Sequence, residues 1–235
     1  MNLPNFSAYR PARLLRARSA AREQTFIDVE PPPGFLNAHT LPGQFCRMRV
    51  AEADGIFAMF SRPGAAPRFL VRRGNPDGGE AADRLSELDD GAPIEMSNPA
   101  GHGFDLERAR GRDLRFVATG TGVAPVCAAI ERVLSERAAF GDISLDHGVR
   151  SEGHLAIALD IARWRDAGVC VRVVYSSVDE AGNLAGKTVQ ESLRENVTTL
   201  SGAAIIGVGQ PEMLASLRAL VVELGGHPDD LLTNV

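Results

Sequence analysis

Two rhythms of apolar and polar positions divide the chain. In the first half, apolar residues come in short bursts cut by turn chemistry. Residues 13–17, 25–29, 45–50, 56–61, 68–72 and 93–97 read as strands. Phe45-Cys46-Arg47-Met48-Arg49-Val50 alternates apolar and polar side chains, the period-two pattern of a strand with one wet face. Pro31-Pro32-Pro33-Gly34, Arg62-Pro63-Gly64 and Asn75-Pro76-Asp77-Gly78-Gly79 separate the bursts. Short strands at this spacing predict a small antiparallel barrel. Within it, Ala81, Leu85 and Leu88 recur at helical spacing and predict a helix over 81–88.

From Leu114 the rhythm becomes strand, helix, strand. Strands over 114–118, 142–146, 169–175 and 203–208 alternate with helices over 125–134, 153–164, 188–196 and 211–224. That alternation predicts a parallel sheet with helices on its faces. A polar stretch over 105–112 parts the halves, giving a barrel domain over 1–108 and an α/β domain over 109–235.

Composition narrows the function classes. A chain of 235 residues suits one large or two small domains, and 44% apolar with 23% charged residues is a globular balance. A net charge of −5 supplies no basic stripe, so no nucleic-acid partner is expected. No apolar run reaches the roughly 18 residues of a membrane helix, so no span is expected. The first 22 residues carry five arginines and no acid, as transit peptides do, but read better as a strand. Cys46, Cys127 and Cys170 lie far apart with no CxxC pair, so no zinc or iron–sulfur ligand spacing is present and no metal is expected. The sparse, odd count fits a reducing cytoplasm, and each cysteine reads as a small buried hydrophobe. The histidines have no ligand spacing; only His102 and His147 fall near candidate chemistry. Trp164, at helical spacing from Ile157 and Ile161, reads as core.

The sharpest local feature is Ala118-Thr119-Gly120-Thr121-Gly122-Val123-Ala124-Pro125, a strand running through a glycine turn into a helix. Such glycines let the backbone approach a pyrophosphate, and the helix start offers free N–H groups and a positive dipole end. Pro125 suits a first helical position. The third glycine of the six-residue dinucleotide fingerprint is absent, so spacing alone leaves nucleotide binding and a plain tight turn both open.

Gly120-Thr121-Gly122-Val123-Ala124-Pro125 resembles the GTG[IV]AP segment of the ferredoxin–NADP reductase family. Pro42-Gly43-Gln44-Phe45 resembles the family's PGQF segment, and Asn98-Pro99-Ala100-Gly101-His102-Gly103-Phe104 its GPxGxGF loop. His147-Gly148-Val149-Arg150 resembles YGxR. Gly207-Val208-Gly209-Gln210-Pro211-Glu212-Met213 resembles CGPPxM in the GQxxM form of a bacterial and plant subgroup, and Thr233-Asn234 the TN[FYW] chain end. The resemblance implies a two-domain flavoprotein. A six-stranded antiparallel Greek-key barrel would bind FAD, and a parallel α/β domain would bring NADH or NADPH to it. Electrons would then pass to an acceptor or carrier protein.

The resemblance also assigns positions. FAD would lie against Phe57, Ala58, Met59, Phe60 and Ser61, with its pyrophosphate near Gly78, Gly79, Glu80, Ala81 and Ala82 and charge from Arg72 or Arg73. The nicotinamide nucleotide would take Gly120, Thr121, Gly122, Val123 and Pro125, then Arg150, Ser176, Ser177, Gly209, Gln210 and Met213. Three positions that tune hydride transfer in the family are Ala58, Val208 and Val235 here. They replace a serine, a cysteine and a terminal aromatic. The family's RxYS reads Gly55-Ile56-Phe57-Ala58 and its GxxS reads Gly79-Glu80-Ala81-Ala82, so an arginine and two hydroxyls are missing. Hydride transfer needs no protein acid or base if both rings are held close. The family's NADP-binding arginine after the third-strand serine is absent at Ser176-Ser177, which favours NADH. Arg150 and Lys187 remain as candidate partners for a 2′-phosphate. Two functions stay open: a FAD-dependent NAD(P)H oxidoreductase, or a non-catalytic or electron-transfer subunit that keeps the fold with weak or no FAD binding.

Overall fold

The computed structural model describes residues 6–74, 79–178 and 184–234. In the first half, β1 (Arg10–Ala21), β2 (Gln24–Glu30), a one-turn helix α1 (Phe35–Ala38), β3 (Phe45–Val50), β4 (Ala53–Ala58), β5 (Arg68–Arg72), α2 (Gly79–Glu87) and β6 (Pro93–Met96) follow in order. Among the described residues the strands form one antiparallel sheet, ordered β4-β3-β6-β1-β2-β5. Its two edges meet. Met59 bridges Phe69, and the Phe60 N–H donates to the Arg68 carbonyl at 2.8 Å, so the sheet closes into the expected barrel. Leu14, Ile27, Met48, Met59, Phe69 and Met96 fill its interior, and α2 plugs one end with Ala81, Ala82 and Leu85. The arginine-rich segment is β1, twelve residues long.

The second half holds β7 (Leu114–Thr119), α3 (Val123–Leu134), β8 (Ile143–Val149), α4 (Ala158–Asp166), β9 (Cys170–Val178), β10 (Leu184–Gly186), α5 (Val189–Asn196), β11 (Ala204–Val208), α6 (Pro211–Glu223) and β12 (Leu231–Leu232). The sheet order is β10-β9-β8-β7-β11-β12, parallel except for the antiparallel edge strand β10. Thr188 and Glu191 start α5 with a reciprocal capping box. Helix α3 buries nine of its twelve residues, because the sheet lies on one side and the barrel on the other. Leu70 of the barrel shares one apolar cluster with Phe116, Val126 and Ile130, with Phe26 and Phe60 packed against it. The two halves are therefore joined by core, which fixes the crevice between them.

Several expected elements shift: the strand over 13–17 lengthens into β1, and those over 142–146 and 169–175 run on to Val149 and Val178. The helix over 153–164 is a single turn at Glu152–His154 followed by α4. Buried Ile157 interrupts the helical spacing there, sitting at the N-cap with φ −104° and ψ 24°. The strand over 56–61 is β4, which begins at Ala53 and ends at Ala58. Pro125 stands third in α3, behind Val123 and Ala124, where its missing N–H still belongs to the unpaired first turn.

Candidate functional site

Strand order creates the site. β7 has β8 on one side and β11 on the other, so connections leave its C-terminal end in opposite directions and open a crevice there. Gly120–Gly122 forms a tight turn from β7 into α3. Gly120 has φ +54°, the left-handed region where glycine carries no Cβ penalty. Gly122 has an ordinary φ of −58°, so conformation does not require glycine. Close approach does: a Cβ there would stand 3.1 Å from the Val208 carbonyl oxygen and 3.2 Å from its Cγ1. Gly209 has no room either, since a Cβ would meet Met213 Cε and Thr119 Oγ1.

Two adjoining cavities open at this crevice. One, of about 350 Å³, is lined by Gly120, Gly122, Arg150, Ser176, Gly209 and Gln210 among others. The other, of about 220 Å³, lies toward the barrel and is lined by Ile56, Ala58, Leu70, Val71, Ala82, Pro125 and Asn234 among others. Arg72, Thr121, Gly122 and Val208 border both. Asn234 donates its side-chain amide to the Gly43 carbonyl at 3.2 Å, pinning the chain end to the PGQF turn.

Beneath the turn sits His147, 1% exposed. Its Nε2 lies 3.2 Å from the Gly120 carbonyl oxygen, which requires the neutral tautomer with the proton on Nε2; Nδ1 has no partner. Burial pushes its pKa down to about 4, from 6.5. His39, also buried and held down by the same cause, titrates near 4. The unfolded chain therefore takes up protons first as pH falls. Stability is fully present above about pH 6.5 and drains away toward pH 4, by up to about 3 kcal/mol per histidine. Denaturant melts at pH 7, 5.5 and 4.5 check this. His147→Gln should flatten roughly half of the slope, and an unchanged slope contradicts the assignment.

The nucleotide-side positions converge. Gly120, Thr121, Gly122, Arg150, Ser176, Gly209 and Gln210 line one cavity, and Pro125 borders the other. Val123 is wholly buried and anchors the start of α3. Met213 packs beneath Gly209 against the α5–α6 side of the core, so it supports the turn. Lys187 is paired with Glu195 at 2.6 Å, outside the cavity lining. Ser177 lies in β9 opposite Ala185, and its side chain is not among those described.

The flavin-side positions divide. Ala58, Arg72 and Ala82 reach the cavity. Phe57 borders it too, but its ring is 9% exposed and belongs to the barrel core opposite Cys46. Met59, Phe60 and Ser61 turn away once β4 ends. Met59 is wholly buried, Phe60 packs edge-on against Phe26, and Ser61 Oγ accepts the Arg68 N–H at 3.1 Å. Gly79, Glu80 and Ala81 open α2, where Glu80 pairs with Arg84 and Ala81 is buried. Gly78 and Val235 lie outside the described residues. Ile56, Leu70 and Val71 were missed. The exposed apolar Ile56 shares the outer face of β4 with Ala58, and an apolar side chain turned outward is the signal that marks it. His102 bonds its neighbour Gly103 through Nδ1, and Trp164 is core with Nε1 donating to Glu131.

Residues 116–219 match the family model described as the oxidoreductase NAD-binding domain. The fold is similar to a ferredoxin NADP+ reductase from Neisseria gonorrhoeae solved with bound FAD and NADP, with a TM-score of 0.80, 18% identity and coverage of 97% of this chain and 98% of that one. In sequence, the chain is 22% identical over 83% of its length to the sulfhydrogenase 1 subunit gamma of Pyrococcus furiosus, covering 67% of that protein. It is 28% identical over 59% of its length to the nitrate reductase [NAD(P)H] of Hordeum vulgare, of which it spans 18%. Residues 116–219 thus match the oxidoreductase NAD-binding domain, and the parallel sheet they build shares one crevice with a six-stranded barrel in a chain whose whole fold is that of a ferredoxin NADP+ reductase.

Proposed function

We propose that the chain is an NAD(P)H-dependent flavin oxidoreductase that passes electrons to an acceptor or carrier protein, with residues 1–108 and 109–235 as its two domains. The observation that carries the proposal is the pair of cavities sharing Arg72, Thr121, Gly122 and Val208. Two ring systems held in them would be in contact across the Val208–Gly122 approach.

The barrel-side cavity fits a flavin ring. Its walls are Ile56, Ala58, Leu70 and Val71, and its polar groups are Thr121, Asn234 and Arg72. That is an apolar slot with a few placed polar groups, as cofactor sites are built. At about 220 Å³ it takes a ring system and leaves the rest of a dinucleotide to run outside toward α2. Bound FAD would supply acceptance of a hydride from nicotinamide and onward electron transfer. The chain's own residues position. The Gly120–Gly122 turn and the first turn of α3 receive a pyrophosphate, Arg72 offers charge between the two cavities, and Val208 and Ala58 shape the contact without hydrogen-bonding.

Among the described residues, no carboxylate or imidazole lines either cavity. The rate of flavin reduction is therefore expected to be flat across about pH 6–8, since no acid or base of the chain is engaged. Anaerobic stopped-flow bleaching of the flavin band by NADH or NADPH tests both the activity and its flatness. If FAD binds and neither nucleotide bleaches it over minutes, the reductase reading fails. The chain is then read as an electron-transfer or regulatory subunit, the role the missing RxYS and GxxS groups favour. The three scattered cysteines, with no CxxC pair, support a reducing cytoplasm on this reading; among the described residues no helix is long and apolar enough to cross a membrane.

A further inference from the structure

The turn between β1 and β2, Arg22-Glu23, crosses from the barrel to the nucleotide sheet. The Arg22 N–H donates to the Gly153 carbonyl at 2.7 Å, and the buried Gln24 donates its side-chain amide to the His154 carbonyl at 2.7 Å. Between these two fastenings Glu23 adopts φ 61°, the left-handed region that a tight turn normally gives to glycine. Glu23 Oε2 lies 3.8 Å from Nη1 of Arg150, both side chains half-exposed.

Arg150 follows β8 and lines the nucleotide cavity with Ser176 of β9. In a doubly wound sheet, the end of the second strand is where the adenosine ribose is read. An acid there takes the 2′-hydroxyl, and an arginine takes a 2′-phosphate. Arg150 alone makes this a phosphate-accepting position. Glu23 changes that balance from the other half of the molecule. At 3.8 Å its carboxylate is a charge neighbour rather than a hydrogen-bond partner; it offsets the guanidinium's charge and repels a dianionic 2′-phosphate, while leaving a neutral hydroxyl unpenalised.

Resting on the reductase reading above, we propose that Glu23 is a specificity-determining residue that biases the nucleotide cavity toward NADH and against NADPH by offsetting the charge of Arg150. It touches no reacting atom and acts through Arg150.

The test is titration of the full chain with NADH and with NADPH at low ionic strength, following nicotinamide fluorescence, in wild type, Glu23→Gln, Glu23→Gly and Arg150→Gln. Glu23→Gln is expected to improve NADPH affinity relative to NADH by about threefold or more, the scale of a half-exposed ion pair. Glu23→Gly, which also relieves the backbone, should give the same shift. A merely structural role would make these two variants differ, because only one changes the turn. In the Arg150→Gln background, Glu23→Gln should move the ratio by much less. If both nucleotides bind wild type and Glu23→Gln moves the ratio less than twofold, this proposal is overturned and the reductase reading stands. If wild type binds neither nucleotide, both are overturned.

Discussion

Gly122→Val is expected to weaken NAD(P)H binding at least tenfold, about 1.4 kcal/mol, in a chain that still folds. The cause is space. The backbone at Gly122 is helical and would accept any residue, but its hydrogen faces the end of β11, with the Val208 carbonyl oxygen only 3.1 Å from where a Cβ would be. A branched side chain must push the start of α3 away from β11 or project into the two cavities that meet there. Either way the free N–H groups of the first turn lose their aim at a bound phosphate. Gly120 offers the contrasting control. A Cβ there meets nothing within 4 Å, but φ +54° strains it. Gly120→Ala should therefore lower thermal stability by about 1 kcal/mol while adding no bulk to the cavity. Nucleotide titration and melting curves of the two variants separate the effects. Unchanged affinity in folded Gly122→Val would show that the crevice is not where the nucleotide binds.

Much of this was readable because the responsible residues leave strong local marks. Strand β3 alternates so regularly that its span came out residue for residue. The glycine turn stood out because it breaks an apolar strand immediately before a helix. What escaped has physical reasons. Residues Ile56, Phe57, Ala58, Met59 and Phe60 are all apolar, so alternation cannot say which face looks outward. Only packing against α2 and Cys46 decides that Phe57 goes inside and Ile56 outside. Strands β10 and β12 are three and two residues long, too short for any period, and exist because a neighbouring strand offers them an edge. The Glu23–Arg150 pair joins residues 127 positions apart on different halves. No local pattern announces it.

The second large effect concerns stability. Asp146 of β8 is fully buried in the parallel sheet, and Arg172 of β9 clamps it with two bonds, Nε to Oδ1 at 2.7 Å and Nη2 to Oδ2 at 2.6 Å. Ser192 of α5 approaches the same Oδ1 at 3.3 Å. The carboxylate raises the pKa of Arg172 further, through their hydrogen bond above all, so the guanidinium stays charged throughout any practical range. Arg172→Met removes that partner and leaves a buried carboxylate with only the Ser192 hydroxyl beside it among the described side chains. The expected cost is about 3–5 kcal/mol, which is a large fraction of the stability of a domain this size. The cost belongs to the abandoned carboxylate more than to the lost bridge. Replacing both groups, Asp146→Leu with Arg172→Met, should therefore recover most of the loss, because a desolvated pair is often no more stable than apolar residues of similar volume. The double-mutant cycle by urea denaturation measures this directly. Single and double variants that are equally destabilised would mean that the bridge itself, and not the unpaired charge, holds β8 to β9.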